Sequence, residues 1–365
     1  MQFGFDPEFF ITNKTGRAVP AHRFFDEKAP QSNLLYFRDG AAVEMNALPS
    51  TCAAGSINQL FDVIKQARAH LRSKYPEGKL VATSAMLFPL ELWEGAPQDV
   101  MEVGCHPSWN AYTVKEKGTE MDLYNHPFRY GGGHMHFSSF RNVKDFNTAV
   151  KFIKLLDWKI GVLDAFFFGG RNSARRRLFY GRAGDFRFHK AVTGHSGYTY
   201  KLGARWNADY DPSLYKASSP LRVEYRTPGP EMWLHPNVFV SLYCAIAREC
   251  DNQLDPLTER LEKIDPERIK TAINTGEGAE ALLSGLKYDG FGVYLRGKTT
   301  HSQAAGSLTD VSMYTVEVIK ALKEKMKRGN LVLRAKIVEA HIGFTDYLIK
   351  FGLAETMPGF KGPRL

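Results

Sequence analysis

Apolar and polar positions change period several times along the chain, and each change marks an element. From Gln2 to about Asn13 the residues alternate around a proline, and Leu34 to Leu48 holds two alternating runs separated by Asp39-Gly40, a hairpin signal. Ser56 to about Lys74 switches to helical spacing, with Ile57, Leu60, Phe61, Ile64, Ala67 and Leu71 on one stripe ahead of Pro76. Lys79 to Phe88 and the glycine-rich Arg129 to Phe140 read as strands. Val143 to Phe168 reads as one long helix, and Leu221 to Thr227 as a last clear strand. Beyond Pro236 strand signals thin out, and Val238 to Cys250, Pro266 to Leu286, Ser312 to Arg328 and Leu331 to Phe351 predict helices. The order predicts an α+β fold: strands with covering helices first, then a helical C-terminal region. No repeat of roughly 20–50 residues is visible, which argues against solenoids and propellers.

Composition narrows the class. The chain has 365 residues, 44% hydrophobic and 24% charged, ordinary for a folded protein with its own core and unlike disordered or collagenous chains. No run approaches the ~18 apolar residues of a membrane helix. The opening MQFGFDPEFF carries Asp6 and Glu8 where a secretory leader needs a basic start and an apolar run, so a cytoplasmic chain without a membrane partner is expected. The four cysteines, Cys52, Cys105, Cys244 and Cys250, form no CxxC pair and fit reduced thiols. Lys plus Arg (48) minus Asp plus Glu (39) leaves +9, which suits a nucleotide, a phosphate or nucleic acid as partner.

Residues two apart on a strand share a face, and four predicted strands put the same chemistry there. Asp6 and Glu8 share one face, Glu44 and Asn46 another, His134 and His136 a third, and Arg222, Glu224 and Arg226 a fourth. Phe5, Phe9, Val43, Met45, Met135, Phe137, Val223 and Tyr225 would then point to the core. A plain solvated face is the alternative for any single strand. Solvated faces, however, favour Lys, Thr and Ser over this set of metal and phosphate ligands. Two carboxylates about 5 Å apart at an effective dielectric near 20 repel by roughly 3 kcal/mol. Gathering Glu8, Glu44 and Glu224 therefore requires compensation, and oxygen ligands with an imidazole point to Mg²⁺ or Mn²⁺.

Between Arg171 and Lys190 lies a basic stretch in which Arg175, Arg176, Arg182 and Arg187 are candidates to fork onto polyphosphate, joined by Arg222 on the last strand. Gly181 and Gly184 suit a phosphate loop, and a solvated basic face is the competing reading. The Gly131-Gly132-Gly133 run before His134 permits close backbone approach to a ligand. Two other functions stay open on these residues. A cupin-type non-haem metal enzyme would use His134, His136 and Glu224 but leave Asp6, Glu8 and the arginines idle. A basic nucleic-acid-binding protein would use the charge without any metal.

The ordered series GFDPEFF, DGAAVEMN, GCHPSWNAY, GGGHMHF, RRRLFYGRAGDFR and VEYRTPG resembles the phage-type carboxylate-amine ligases (type 2 amidoligases) of the glutamine synthetase and γ-glutamylcysteine synthetase superfamily. The likeness covers roughly the first 235 residues. It implies a glutamine-synthetase-like curved, mainly antiparallel sheet holding ATP, Mg²⁺ or Mn²⁺ and an acid substrate. A catalytic domain would span 1–250, with an insertion at about 191–219 rich in Tyr and Trp, and 251–365 would form the helical region. By motif, Asp6 and Glu8 match the first metal carboxylates, Asp39 and Glu44 the second acidic group, and His134 a metal-holding histidine. His136 takes a place where relatives have Asn. Glu224 and Arg226 match the late Glu-x-Arg pair, in which Glu binds metal and Arg contacts the transferring phosphate. The implied reaction joins a small-molecule or peptide carboxylate to an amine at the expense of ATP, in a host cytoplasm if the gene is phage-borne.

Overall fold

A computed structural model describes residues 1–27, 35–93, 95–96, 100, 108–117, 126–190, 221–234, 236 and 239–284. The predicted insertion at 191–219 and the helices predicted at 312–328 and 331–351 lie outside these residues. The described chain is α+β, as the periodicity predicts.

Twelve strands are described. They are β1 (Gln2–Thr12), β2 (Ala18–Val19), β3 (Tyr36–Asp39), β4 (Ala42–Met45), β5 (Lys79–Val81), β6 (Ala85–Leu87), β7 (Ser108–Asn110), β8 (Lys115–Lys117), β9 (Phe128–Tyr130), β10 (Gly133–Ser138), β11 (Asp185–Lys190) and β12 (Leu221–Tyr225). The helices are α1 (Ala53–Lys74), α2 (Phe146–Leu156), α3 (Val162–Phe168), α4 (Arg171–Phe179), α5 (Phe239–Asn252), α6 (Leu254–Leu261), α7 (Pro266–Thr275) and α8 (Ala279–Ser284). The main sheet runs β3-β4-β1-β10-β12-β11-β7-β8, with β2 and β5 also pairing β1, and its ladders are antiparallel.

Strand alternation sends Phe5, Phe9, Val43, Met45, Met135, Phe137, Val223 and Tyr225 into one continuous core, as expected. Burying each such side chain stabilises the fold by roughly 1.5–3 kcal/mol. Against that face lie α1, packed on β1, β3, β4 and β5, and α2, packed on β11, with α5 behind both. The described part of the C-terminal region joins the same core through Leu254, Leu257, Ile269, Ile273 and Leu283.

Four predicted elements are interrupted. The strand expected over 79–88 pairs with β1 only as far as Val81, then turns away as β6 to form a two-stranded ribbon with β9. The strand expected over 129–140 breaks at the same level, between β9 and β10. Glu231 clamps this crossing by accepting the Ser84 amide at 2.5 Å and the Ser84 hydroxyl at 2.7 Å. The long helix expected over 143–168 contains a π turn at Asp157–Gly161 between α2 and α3. That turn sets the buried Asp157 so that its Oδ1 accepts from the Tyr225 hydroxyl at 2.8 Å and the Thr227 hydroxyl at 3.2 Å. The helix expected over 266–286 stops at Gly276, whose φ of +84° is a left-handed C-cap. Helix α4 has no counterpart among the predicted elements, whereas α6 falls within residues 251–365, expected to be helical. Cys244 and Cys250 are buried in α5, where burial pushes the Cys250 thiol up to about 12.

Candidate functional site

The opposite face of the sheet gathers the polar residues, because directly paired residues on neighbouring strands project to the same side. Register puts Glu8 opposite Glu44, Asp6 opposite His134, His136 opposite Glu224, and Glu224 opposite Arg187. Asp39 follows Phe37, the partner of Glu44, by two residues on β3 and so joins that face. Beyond Glu8 the face becomes apolar: Phe10 packs with Ala42, Phe88 and Trp93 in a second core. Ala85 and Tyr130, from the β6-β9 ribbon, form a third small core with Tyr180. These covers shield the acids, and Glu8, His134, His136, Glu224 and Arg226 are all buried.

At the centre, one carboxylate oxygen each from Glu8, Asp39 and Glu44 lie within 4.8 Å of one another. The Gly132 amide donates to Glu8 Oε2 at 2.6 Å, and Asn46 Nδ2 donates to Glu44 Oε1 at 3.1 Å. Burial, reinforced by the neighbouring Asp39 charge and opposed by the Gly132 amide, pushes the Glu8 carboxyl up to about 8. Burial likewise lifts Asp39 to about 6, against the pull of Arg187 and Arg226. Both shifts come first from burial, and for Glu8 the Asp39 carboxylate adds to it.

His134 lies at the junction of the acids. Its Nδ1 is 3.4 Å from Asp6 Oδ1, 3.8 Å from Glu224 Oε1 and 3.9 Å from Glu8 Oε1. Burial holds the imidazole below its ordinary range, against the pull of Asp6. The chain leaves room for this ring through the glycine run, since a Cβ on Gly132 would overlap it and a Cβ on Gly133 would strike the Gly229 carbonyl. His136 is engaged differently. Arg222 can only donate, so its Nε and Nη2, at 3.2 and 2.9 Å, make His136 Nδ1 the acceptor, and Nε2–H then donates to Asp6 Oδ2 at 2.7 Å. Neither ring nitrogen of His136 is left to face a cation. Burial alone would raise Asp6, but the His136 and His134 imidazoles reverse that and hold its carboxyl well below the usual range.

Among the arginines, Arg226 Nε lies 3.3 Å and Arg187 Nη1 3.5 Å from Glu224 Oε1, so both guanidinium groups reach the acidic cluster. The other candidates go elsewhere. Arg176 is buried and donates to the carbonyls of Thr227 at 2.9 Å and Arg226 at 2.8 Å, bracing the end of β12. Arg175 covers the Phe128 ring at 3.9 Å, and Arg182 pairs with Asp185 at 3.8 Å. The turn holding Gly181 and Gly184 has its amides at Arg182, Ala183 and Asp185 bonded to Asp185, Asn274 and the Arg182 carbonyl. Those three amides are therefore not available to cradle a phosphate.

No protein-family model matches the chain, and no curated protein is significantly similar to it.

Two contributors escape sequence reasoning. The Gly132 amide carries no side-chain signal. Tyr180, in the loop after α4, places its hydroxyl on His134 Nε2 and 3.3 Å from Glu8 Oε1, with only a single aromatic letter in a basic run to mark it. Among the described residues no helix is long and apolar enough to cross a membrane.

Proposed function

We propose that this protein is an ATP-dependent carboxylate-amine ligase of the glutamine-synthetase-like kind, working through an acyl phosphate. The observation that carries this reading is the convergence of Asp6, Glu8, Asp39, Glu44, His134, Glu224, Arg187 and Arg226, from six strands and their flanks, on one buried face. The donor set fits a hard divalent cation. Three carboxylate oxygens crowd within 4.8 Å, and Asp6 Oδ1 is buried without a hydrogen bond among the described residues. Glu8, Asp39 and Glu44 would hold Mg²⁺ or Mn²⁺, with Asp6, Glu224 and His134 Nδ1 beside it. A cation held there would neutralise charge on phosphate oxygens during transfer.

In the reaction, a carboxylate oxygen of the acid attacks the γ-phosphorus of ATP and the bond to the β-phosphate oxygen breaks, releasing ADP. The amine nitrogen then attacks the acyl carbon, phosphate leaves, and the nitrogen loses a proton. Arg226 and Arg187 would orient the transferring phosphoryl group, and Glu224 fixes both guanidinium groups. The engagement of both His136 nitrogens weighs against a cupin-type pair of imidazole ligands. The substrates in this reading are a small-molecule or peptide acid and an amine, and the setting is a cytoplasm with ATP and reduced thiols.

ATP with Mg²⁺ should raise the melting temperature, and purified protein should release ADP only when a matching acid and amine are both supplied. In Glu224→Gln that release should fall at least about 100-fold, as for loss of a transition-state contact, while the melting temperature stays near that of the unaltered chain. Thermal indifference to ATP, together with salt-sensitive DNA or RNA binding that needs no metal, would favour the nucleic-acid reading instead.

A further inference from the structure

We propose that Tyr180 is a positioning residue that sets the His134 tautomer, so that the imidazole presents Nδ1 to a cation shared with the surrounding carboxylates. This inference rests on the cation reading above and adds a residue to it.

A phenol has one proton to donate and lone pairs with which to accept. Among the described residues the Tyr180 hydroxyl touches Glu8 Oε1 at 3.3 Å and His134 Nε2. A carboxylate can only accept, so with Glu8 ionised the arrangement that satisfies both contacts sends the hydroxyl proton to Glu8 and has the phenol oxygen accept the His134 Nε2–H. That leaves the Nδ1 lone pair facing Asp6, Glu224 and Glu8 across 3.4, 3.8 and 3.9 Å. A lone pair aimed among carboxylate oxygens is repulsive by itself and suits a ligand set sharing one positive ion. Histidines that bind metal generally donate their other ring N–H to such a partner, which fixes tautomer and ring orientation.

The ring of Tyr180 is itself held in place. The guanidinium carbons of Arg176 and Arg226 lie 4.6 and 4.8 Å from its centroid. Gly181 next to it has a φ of +60°, and a Cβ there would collide with the Arg176 guanidinium. Tyr180 thus links the acids of β1, the imidazole of β10 and the guanidinium that follows β12.

The test is Mn²⁺ binding to the full chain, followed by electron paramagnetic resonance without nucleotide or substrates. Tyr180→Phe keeps the ring and removes the hydroxyl, so Mn²⁺ affinity should fall by about 10–100-fold at an unchanged melting temperature. In a His134→Ala background the same substitution should cost little more. Imidazole ¹⁵N shifts of the Mg²⁺-bound protein should report the Nε2–H tautomer of His134 in the unaltered chain and its loss in Tyr180→Phe. Unchanged Mn²⁺ affinity in Tyr180→Phe, or an equal loss with and without His134, overturns the proposal. If the variant melts early, the unaltered protein decides alone, since an Nδ1–H tautomer there rules the role out. Absence of Mn²⁺ binding to the unaltered protein would instead sink the cation reading, and this inference with it.

Discussion

Glu8 shows how one buried side chain ties the stability of the fold to the acidic cluster. Its carboxyl is pushed from an ordinary 4.5 up to about 8, mainly by burial and then by Asp39, whose own value rises from 3.8 to about 6. The native state therefore keeps protons that the unfolded chain has released. The stabilising contribution of these groups is complete below their unfolded values and is lost as pH climbs to about 6 for Asp39 and about 8 for Glu8. Asp157 and Asp164, raised by burial to about 7 and about 6, act with the same sign, so a comparison with Glu8→Gln is needed to isolate Glu8. The urea midpoint of cation-free protein should decline between about pH 5 and 8. Glu8→Gln should flatten the upper part of that decline, and excess Mn²⁺ should remove the share that Glu8 and Asp39 contribute while leaving that of Asp157 and Asp164. A midpoint climbing steadily across the window would contradict this account. Residue types at this scale were legible in the sequence: Asp6, Glu8, Glu44, His134, Glu224 and Arg226 stand out by their spacing. Their partners were not, because Gly132 lies 124 positions from Glu8 and Tyr180 lies 172.

Elements were predicted well where local rules suffice and poorly where a distant contact intervenes. The hairpin predicted from Asp39-Gly40 forms, with Gly40-Ala41 as its two-residue turn and Gly40 at a φ of +53°. The start of α7 follows from Asp265 as N-cap and Pro266 in the first turn. The two broken strands and the π turn depend instead on Glu231 reaching Ser84 and on Tyr225 and Thr227 reaching Asp157, contacts no window of sequence reveals. Helix α2 begins with a capping box in which the Thr148 amide donates to Asp145 Oδ1 at 2.8 Å. Asp145→Ala should therefore lower stability by about 1 kcal/mol in urea titrations. Mn²⁺ binding should not change, because the cap contacts none of the acidic residues.

Across the molecule, the helices behind the sheet are locked by a buried charge pair. Arg177 of α4 lies 2.8 Å from Asp164 of α3 and donates to the Ile273 carbonyl of α7 at 2.5 Å, while Tyr243 of α5 donates to Asp164 at 3.2 Å. Arg177→Ala would leave Asp164 buried without its counter-charge, and unfolding free energy should drop by about 3–5 kcal/mol. Replacing both members with leucine should recover much of that loss in the same measurement, and a double variant as unstable as the single would refute the pairing argument. The basic stretch illustrates the same dependence on the whole fold. Arg175, Arg176, Arg182 and Arg187 read alike as candidate phosphate ligands, yet only Arg187 reaches the acidic cluster, while Arg176 braces the backbone behind Arg226. Strand alternation is a property of neighbouring residues, so the sequence by itself determined which side chains face the core and which face the acids. Register, chain crossings and the partner of each ring nitrogen join positions more than a hundred residues apart. Only the packed tertiary structure decided those, because shape and burial across the whole sheet select one alignment from many that local stereochemistry permits.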